Sequence, residues 1–590
     1  MSSTKLNVMS KSLWFLPLAV VVQWFSVPSA QAQYGVSPSQ TGLFFDDLRE
    51  RQRAEKAASA ASGVRDGDVT YDYESGVYRG DDAPMGQRST DFESAREVAR
   101  PAVRSGSAAY AARTVGDYTN YAGQYTSPTG FFAPTYISDP FLNGRRNLKL
   151  GPINVGFGLY QSFEYNDNIT RSATPQEDVI SSTLLSIDAN YQITQNNRLS
   201  LSTAIGVDRY LMNPELAPYG ESDFVLNVLP GSTLAFDIKA GPVFITAYNR
   251  VSIRPAAQND FALSSNQVFG VFQNDTGLAA NWQINSDWTL AMNYMHSISD
   301  ALSSRDPVTG QSRSNFNNFS RVTDSLHGSL TYSPTGTWTA GLEGGSTLIS
   351  YDQQFNTGGL LNNIGLFFVL PVGSTTYIRA AAGYQNFSFD SLPLAMIIPL
   401  APPFTPTFLD TGDNSDLSDF YYSLTISNQL NSRISQSLTF GHESALNVTS
   451  NYVTADFLNY GMSIIAWKGS KISLSGYVES ASMSGGVFAQ DLLQYGFDAH
   501  LSHRLSSRML FGVGYHYGMT DAVRQTSANA VGPGGDGDFE QHAFNVDLTY
   551  VLTSKCNLSF GYRHFITNVL SGGAAGFDQN RVIIALNYNF

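Results

Sequence analysis

The stretch Arg581-Val582-Ile583-Ile584-Ala585-Leu586-Asn587-Tyr588-Asn589-Phe590 decides how the rest of the chain is read. Val582, Ile584, Leu586, Tyr588 and Phe590 fall on every second position, with Arg581, Asn587 and Asn589 between them. Successive side chains of a strand point to opposite faces, so this segment has one apolar and one polar face. The same alternation recurs upstream. Leu558, Phe560 and Tyr562 oppose Ser559, Gly561 and Arg563. Phe544, Val546, Leu548, Tyr550 and Leu552 oppose Asn545, Asp547 and Thr549. Met509, Phe511, Val513, Tyr515 and Tyr517 alternate with Gly512, Gly514 and His516, and Leu185, Ile187, Ala189 and Tyr191 alternate with Ser186, Asp188 and Asn190.

A soluble sandwich also alternates, but its strands usually run about 5 to 6 residues. Here the segments run about 10 to 16, the length a tilted strand needs to cross a bilayer. The connections divide into two kinds. Short turns stand at Gln195-Asn196-Asn197, Ala240-Gly241-Pro242, Asn285-Ser286-Asp287, Pro334-Thr335-Gly336, Val372-Gly373-Ser374, Asn431-Ser432, Lys468-Gly469-Ser470, Ser506-Ser507 and Thr553-Ser554. Between them lie longer loops such as 301–321, 391–416 and 521–538. Short periplasmic turns alternating with long outer loops mark an outer-membrane barrel. The sequence therefore predicts an all-β, transmembrane, antiparallel up-and-down β-barrel over residues 151–590. It has about 20 strands, with 18 or 22 also allowed by the parsing, and an even number is required. The alternating terminus resembles the signal that the barrel assembly machinery reads, with Tyr588 and Phe590 as its aromatic positions.

Composition agrees. Charged residues make up 14% and aromatics 13% of the 590 residues, yet mean hydropathy is only -0.14. Lipid-facing and lumen-facing residues cancel in such an average. At the other end, Lys5 and Lys11, the apolar run Leu13 to Val27, and Ala30-Gln31-Ala32 read as a secretory signal over residues 1–32. Cleavage there would remove two Lys and no acid, taking the net charge from -14 to -16. Such a balance argues against nucleic acid as a partner. Cys556 is the single cysteine, which excludes an intramolecular disulfide. Residues 33–150 show little periodicity and mixed Gly, Ser, Ala and charge, so a mostly disordered periplasmic extension is expected. A plug within the barrel and a tail docking a periplasmic partner are the alternatives.

The first barrel hairpin contains Phe163-Glu164-Tyr165-Asn166-Asp167-Asn168-Ile169-Thr170-Arg171, followed by a strand near Asp178. This resembles the outer-membrane β-barrel porin family associated with exopolysaccharide and exosortase systems. The likeness is clearest over residues 151 to about 260. It implies an outer-membrane barrel that passes solutes or polysaccharide, and brings no catalytic residues. Asn166, Asp167 and Asn168 read first as turn formers. A Ca²⁺ site with Glu177 and Asp178 is the sharper alternative.

No constellation for catalysis, metal or cofactor stands out. His500 and His503 are three apart on one strand, so they face opposite ways. His516 and His564 read as lumenal or interfacial polar residues. Gly341, Gly344 and Gly345 lie inside an alternating strand, where glycine makes room for a neighbour. Alternation places Asp188, Asp208, Asp237, Glu343, Glu479, Asp498 and Asp547 toward the lumen, with Arg379 and Arg563 as the basic residues there. A charge of Arg or Lys type on the lipid face would cost roughly 2 to 4 kcal/mol at midplane. Leu392 to Leu409 carries Pro393, Pro399, Pro402, Pro403 and Pro406, and is expected to be neither helix nor ladder strand. The expected function is a passive channel in the cell outer membrane, porin-like or the exit of a polysaccharide pathway, and not an enzyme. A non-conducting barrel that anchors surface loops is the alternative.

Overall fold

The computed structural model describes residues 148–590 apart from short stretches within loops and turns, the longer of them 258–267, 398–406 and 525–536, together with two short strands before residue 148. Those two, Thr70–Asp72 and Val77–Arg79, pair as a small antiparallel hairpin. The expected signal and the rest of the extension lie outside the described residues.

The described residues of 151–590 close into a barrel of twenty long antiparallel strands, each paired with its neighbours in sequence. They are β1 Ile153–Asn166, β2 Asp178–Gln192, β3 Asn197–Tyr210, β4 Phe224–Ala240, β5 Val243–Ala257, β6 Val268–Gln283, β7 Trp288–Leu302, β8 Arg321–Tyr332, β9 Thr339–Tyr351 and β10 Gly359–Val372. The second half holds β11 Thr376–Phe389, β12 Leu417–Asn431, β13 Ile434–Leu446, β14 Tyr452–Trp467, β15 Ser470–Met483, β16 Gln490–Ser506, β17 Met509–Arg524, β18 Gly537–Thr553, β19 Cys556–Val569 and β20 Phe577–Asn589. β20 pairs with β1 from Arg581↔Asn166 to Asn589↔Gly158, so no edge is left open. Leu148–Leu150 folds back on the start of β1, so ordered sheet begins slightly before the break in composition.

Every short turn named above lies at one end of the barrel, and every long loop at the other. Gly241, Gly373 and Gly469 take φ of 62°, 66° and 80°, the left-handed conformation that tight hairpins need. The widest register slip lies in β4. Pro230 cannot donate to a ladder, and it falls where β4 slips between Val228 and Ser232 against β5. The slip adds two residues to β4, from four steps against two on β5, so its alternation resumes in phase.

The two faces differ as a membrane barrel requires. Outward lie large apolar residues such as Phe420 and Ile364, 70% and 64% exposed, with Leu342, Leu366, Leu458 and Leu586. So continuous an exposed apolar belt is what a membrane-spanning barrel presents to lipid. Aromatic rings stack along its turn end: Trp288 on Tyr332 at 4.7 Å, Tyr332 on Trp338 at 5.6 Å, and Trp338 on Phe368 at 5.8 Å. At the loop end Tyr384 meets Phe420 at 5.3 Å. Such girdles sit at the two interfaces of a bilayer. The inward face holds the buried polar side chains, and a smaller apolar patch of Ile349, Leu361, Phe387, Leu417 and Val453 near the loop end.

Candidate functional site

Asp188, Asp208, Asp237, Glu343, Arg379, Glu479, Asp498, Asp547 and Arg563 all occupy positions on the inward face by strand register. Each predicted arginine stands beside a predicted acid. Arg379 Nη2 is 3.8 Å from Glu343 Oε2, and Arg563 Nη2 is 4.0 Å from Asp547 Oδ1. Asp498 faces His516, with Oδ1 2.6 Å from Nδ1, and accepts from Ser475 Oγ at 3.3 Å. Asp208 accepts from the amide of Asn227. His500 and His503 face opposite ways, as their spacing requires: His500 lies across from Gly514 on the inner face, and His503 packs on outward Trp467. Tyr588 and Phe590 point outward with their rings edge to face at 4.8 Å. Phe590 N–H donates to Phe157 O at 2.9 Å.

The inward basic set is larger than Arg379 and Arg563. Arg198, 1% exposed, donates through Nε and Nη2 to Asp237 Oδ2 at 3.3 and 3.2 Å, while Thr246 Oγ1 donates to Asp237 Oδ1 at 2.8 Å. Arg250 lies in register with Asp275, its guanidinium 4.6 Å over the Tyr248 ring. Arg321 is buried beside Ser299 and Tyr351. Arg581 holds Glu164. Parity alone would have found Arg198, since it shares a strand face with Asp208 ten residues on.

The Tyr165–Ile169 segment forms a latch across the closing seam. Asn166 Oδ1 accepts from the Asn168 N–H at 3.1 Å, the local side-chain bond that makes such residues turn formers. It also accepts from Gln579 Nε2 at 3.0 Å. Asp167 accepts the Asn580 backbone N–H at 2.6 Å and its side-chain amide at 2.8 Å. Asn168 Nδ2 donates to Asp578 O at 2.9 Å. Asp178 is spent on backbone: it accepts from the N–H groups of Val179, Leu211, Met212 and Asn213 at 2.6 to 3.2 Å. These oxygens tie β1 to β20, and β2 to the loop after β3. Among the described residues no group of three or more His, Cys, Asp or Glu is placed to hold a metal.

Leu392 to Leu409 departs from its expectation in one respect. Ala395–Ile397 pairs antiparallel with Thr407–Leu409, so part of that loop does form a short ladder. The prolines named in it lie outside the paired segments.

No protein-family model matches the chain, and no curated protein matches it. Solved structures with a similar fold include the apoprotein form of the FrpB iron transporter from Neisseria meningitidis, 11% identical with a TM-score of 0.44, covering 76% of this chain and 82% of that one. The siderophore receptor PirA from Pseudomonas aeruginosa is 8% identical with a TM-score of 0.40, over 74% and 80% of the two chains. OpdK from Pseudomonas aeruginosa, solved with vanillate, is 12% identical with a TM-score of 0.37, over 74% and 99%. Likeness at this level carries nothing about substrate.

Proposed function

We propose that this chain is a channel of the cell outer membrane, for porin-like passive diffusion or serving as the outer exit of a polysaccharide pathway. One observation supports the reading above others: a closed barrel of twenty strands has an apolar exterior and a polar, charge-lined interior. Twenty strands about 4.8 Å apart and tilted about 40° make a cylinder about 40 Å across between backbones. Side chains reaching about 5 Å from each wall cannot fill that width. Porins of 16 to 18 strands keep an aqueous channel, and this barrel is wider. The resemblance of Phe163–Arg171 adds the polysaccharide route. In this reading the working parts are wall charges and loops rather than a catalytic group. Outer-membrane lipid covers the belt, and the barrel assembly machinery reads the alternating face that ends in Tyr588 and Phe590.

Reconstitution in a planar bilayer tests the channel. Discrete conductance steps with the full mature chain are expected. A barrel that inserts fully, shown by heat-modifiable mobility, yet gives no steps would leave an anchor for surface loops in place of a channel.

A further inference from the structure

The inward face of β8 to β12 carries a polar shelf that barrel closure does not use. His327, Gly345, Asn363, Gln385 and Asp419 lie directly opposite one another across five strands. Four inter-strand steps of about 4.8 Å make this row about 19 Å long. The row beneath it is Ser329, Glu343, Gly365, Gly383 and Tyr421. Glycine is required there: a Cβ on Gly365 or Gly383 would strike the Tyr421 ring or its hydroxyl. Tyr421 therefore lies flat along the wall and its Oη donates to Glu343 Oε1 at 3.4 Å. Below, the Arg379 guanidinium stands 5.7 Å over the Phe367 ring. Above, Leu361, Phe387 and Leu417 begin the apolar patch.

Several donors on this shelf have no partner in the protein. His327 is 6% exposed, and neither of its ring nitrogens is bonded. Gln385 is 2% exposed with Nε2 unbonded, and Asn363 Nδ2 is likewise unbonded. Leaving a buried donor unpaired is costly, so such groups rarely cluster without a purpose. The charges narrow the ligand. Glu343 and Arg379 offset one another, and Asp419 Oδ2 is 3.0 Å from His442 Nε2. An anion would meet the Glu343 carboxylate and a cation would meet Arg379, while Asp419 is drawn to His442, which stacks on outward Tyr422. Amide donors beside carboxylate acceptors, flanked by aromatic rings, suit hydroxyls that both donate and accept on a ring with apolar C–H faces.

We infer that this shelf is a binding site for a neutral carbohydrate chain, several sugar rings long, laid across β8 to β12 inside the barrel. It rests on the channel reading, since the sugar must reach the interior, and names the solute that reading leaves open. The probe is maltohexaose, titrated by calorimetry and saturation-transfer NMR onto the full chain in detergent, with hexagalacturonate as the charged comparator. Saturable binding of maltohexaose is expected, at least tenfold tighter than hexagalacturonate. Asn363→Leu and Gln385→Leu should each weaken it about tenfold while heat-modifiable mobility persists. Absence of saturable maltohexaose binding, or tighter binding of the uronate, overturns the inference on the native protein alone, whatever the variants do. Unchanged affinity in both folded variants overturns it as well. Conductance recorded on the same preparation separates the two readings: steps without sugar binding leave the channel and remove the site, and binding without steps does the reverse.

Discussion

Arg581 on the last strand grips Glu164 on the first through a forked ion pair, Nε to Oε1 at 2.6 Å and Nη2 to Oε2 at 2.7 Å. The residues are 417 positions apart and meet only because the sheet closes. Both side chains are mostly buried, so their geometry is held and screening is limited. Arg581→Met should lower barrel stability by about 2 kcal/mol, the scale of a charge-assisted pair. The charge-reversed pair Arg581→Glu with Glu164→Arg should recover most of it. The midpoint of urea unfolding in detergent, read by tryptophan fluorescence, checks both. Equal midpoints for the single and the reversed double variant would show that the pair does not hold the seam.

Arg198 and Asp237 form a deeper pair, 1% and 0% exposed. Removing one partner strands a buried charge, at a cost of about 3 to 5 kcal/mol. Arg198→Met alone is expected to lose about 3 kcal/mol or more on that ground. Adding Asp237→Leu removes the stranded carboxylate and should restore part of the loss, although Thr246 then loses its acceptor. The same urea midpoints measure the cycle. A single variant as stable as the parent would mean that water reaches Asp237.

The belt can be tested one side chain at a time. Ile364 faces out on β10 and Thr425 faces in on β12. Ile364→Arg should cost about 2 to 4 kcal/mol near the bilayer midplane, because the guanidinium must leave water for lipid. Thr425→Arg keeps its charge in the interior and should cost far less. Refolding into lipid vesicles, followed by the gel mobility shift, gives both values. Equal penalties would contradict the assignment of faces.

What the sequence made legible follows from period 2. Alternation needs only neighbours along one strand, so Asp188, Asp498 and Asp547 could be given a face, and a strand number of about 20 could be counted from turns. The slip at Pro230 could have spoiled Asp237, but two added residues keep the phase. Height and lateral partners are another matter. His327, Asn363, Gln385 and Asp419 share one row only through four registers, each set by the turn that precedes it. No local pattern ties them together. Gly345 held a partial clue: a glycine within an alternating strand implied a close neighbour, and the neighbour is the His327 imidazole. The Tyr165–Ile169 motif shows the reverse error of scale. Its turn chemistry was readable, but its grip on Gln579 and Asn580 was not.

Ion selectivity depends on how the wall charges pair. Counting Arg379 and Arg563 alone against the acids named with them implies a clearly acidic wall. The structure brings Arg198, Arg250, Arg321 and Arg581 to the same face, together with Glu164 and Asp275. Pairing then cancels much of the charge: Arg198 with Asp237, Arg379 with Glu343, Arg563 with Asp547, and Arg581 with Glu164. Asp208 and Asp498 stand apart, met by an amide and by a hydroxyl and imidazole instead. Fixed charge on a wall concentrates counter-ions, but the effect decays over about 10 Å at 0.1 M salt. Across a lumen this wide only a small cation preference is expected, growing as salt is diluted. Asp208→Asn with Asp498→Asn should reduce it, because neither acid has an arginine beside it. Reversal potentials across a tenfold salt gradient decide the matter. Anion preference that strengthens on dilution would show that the unpaired acids do not face the conducting path, and would bring an anionic polymer back as the cargo.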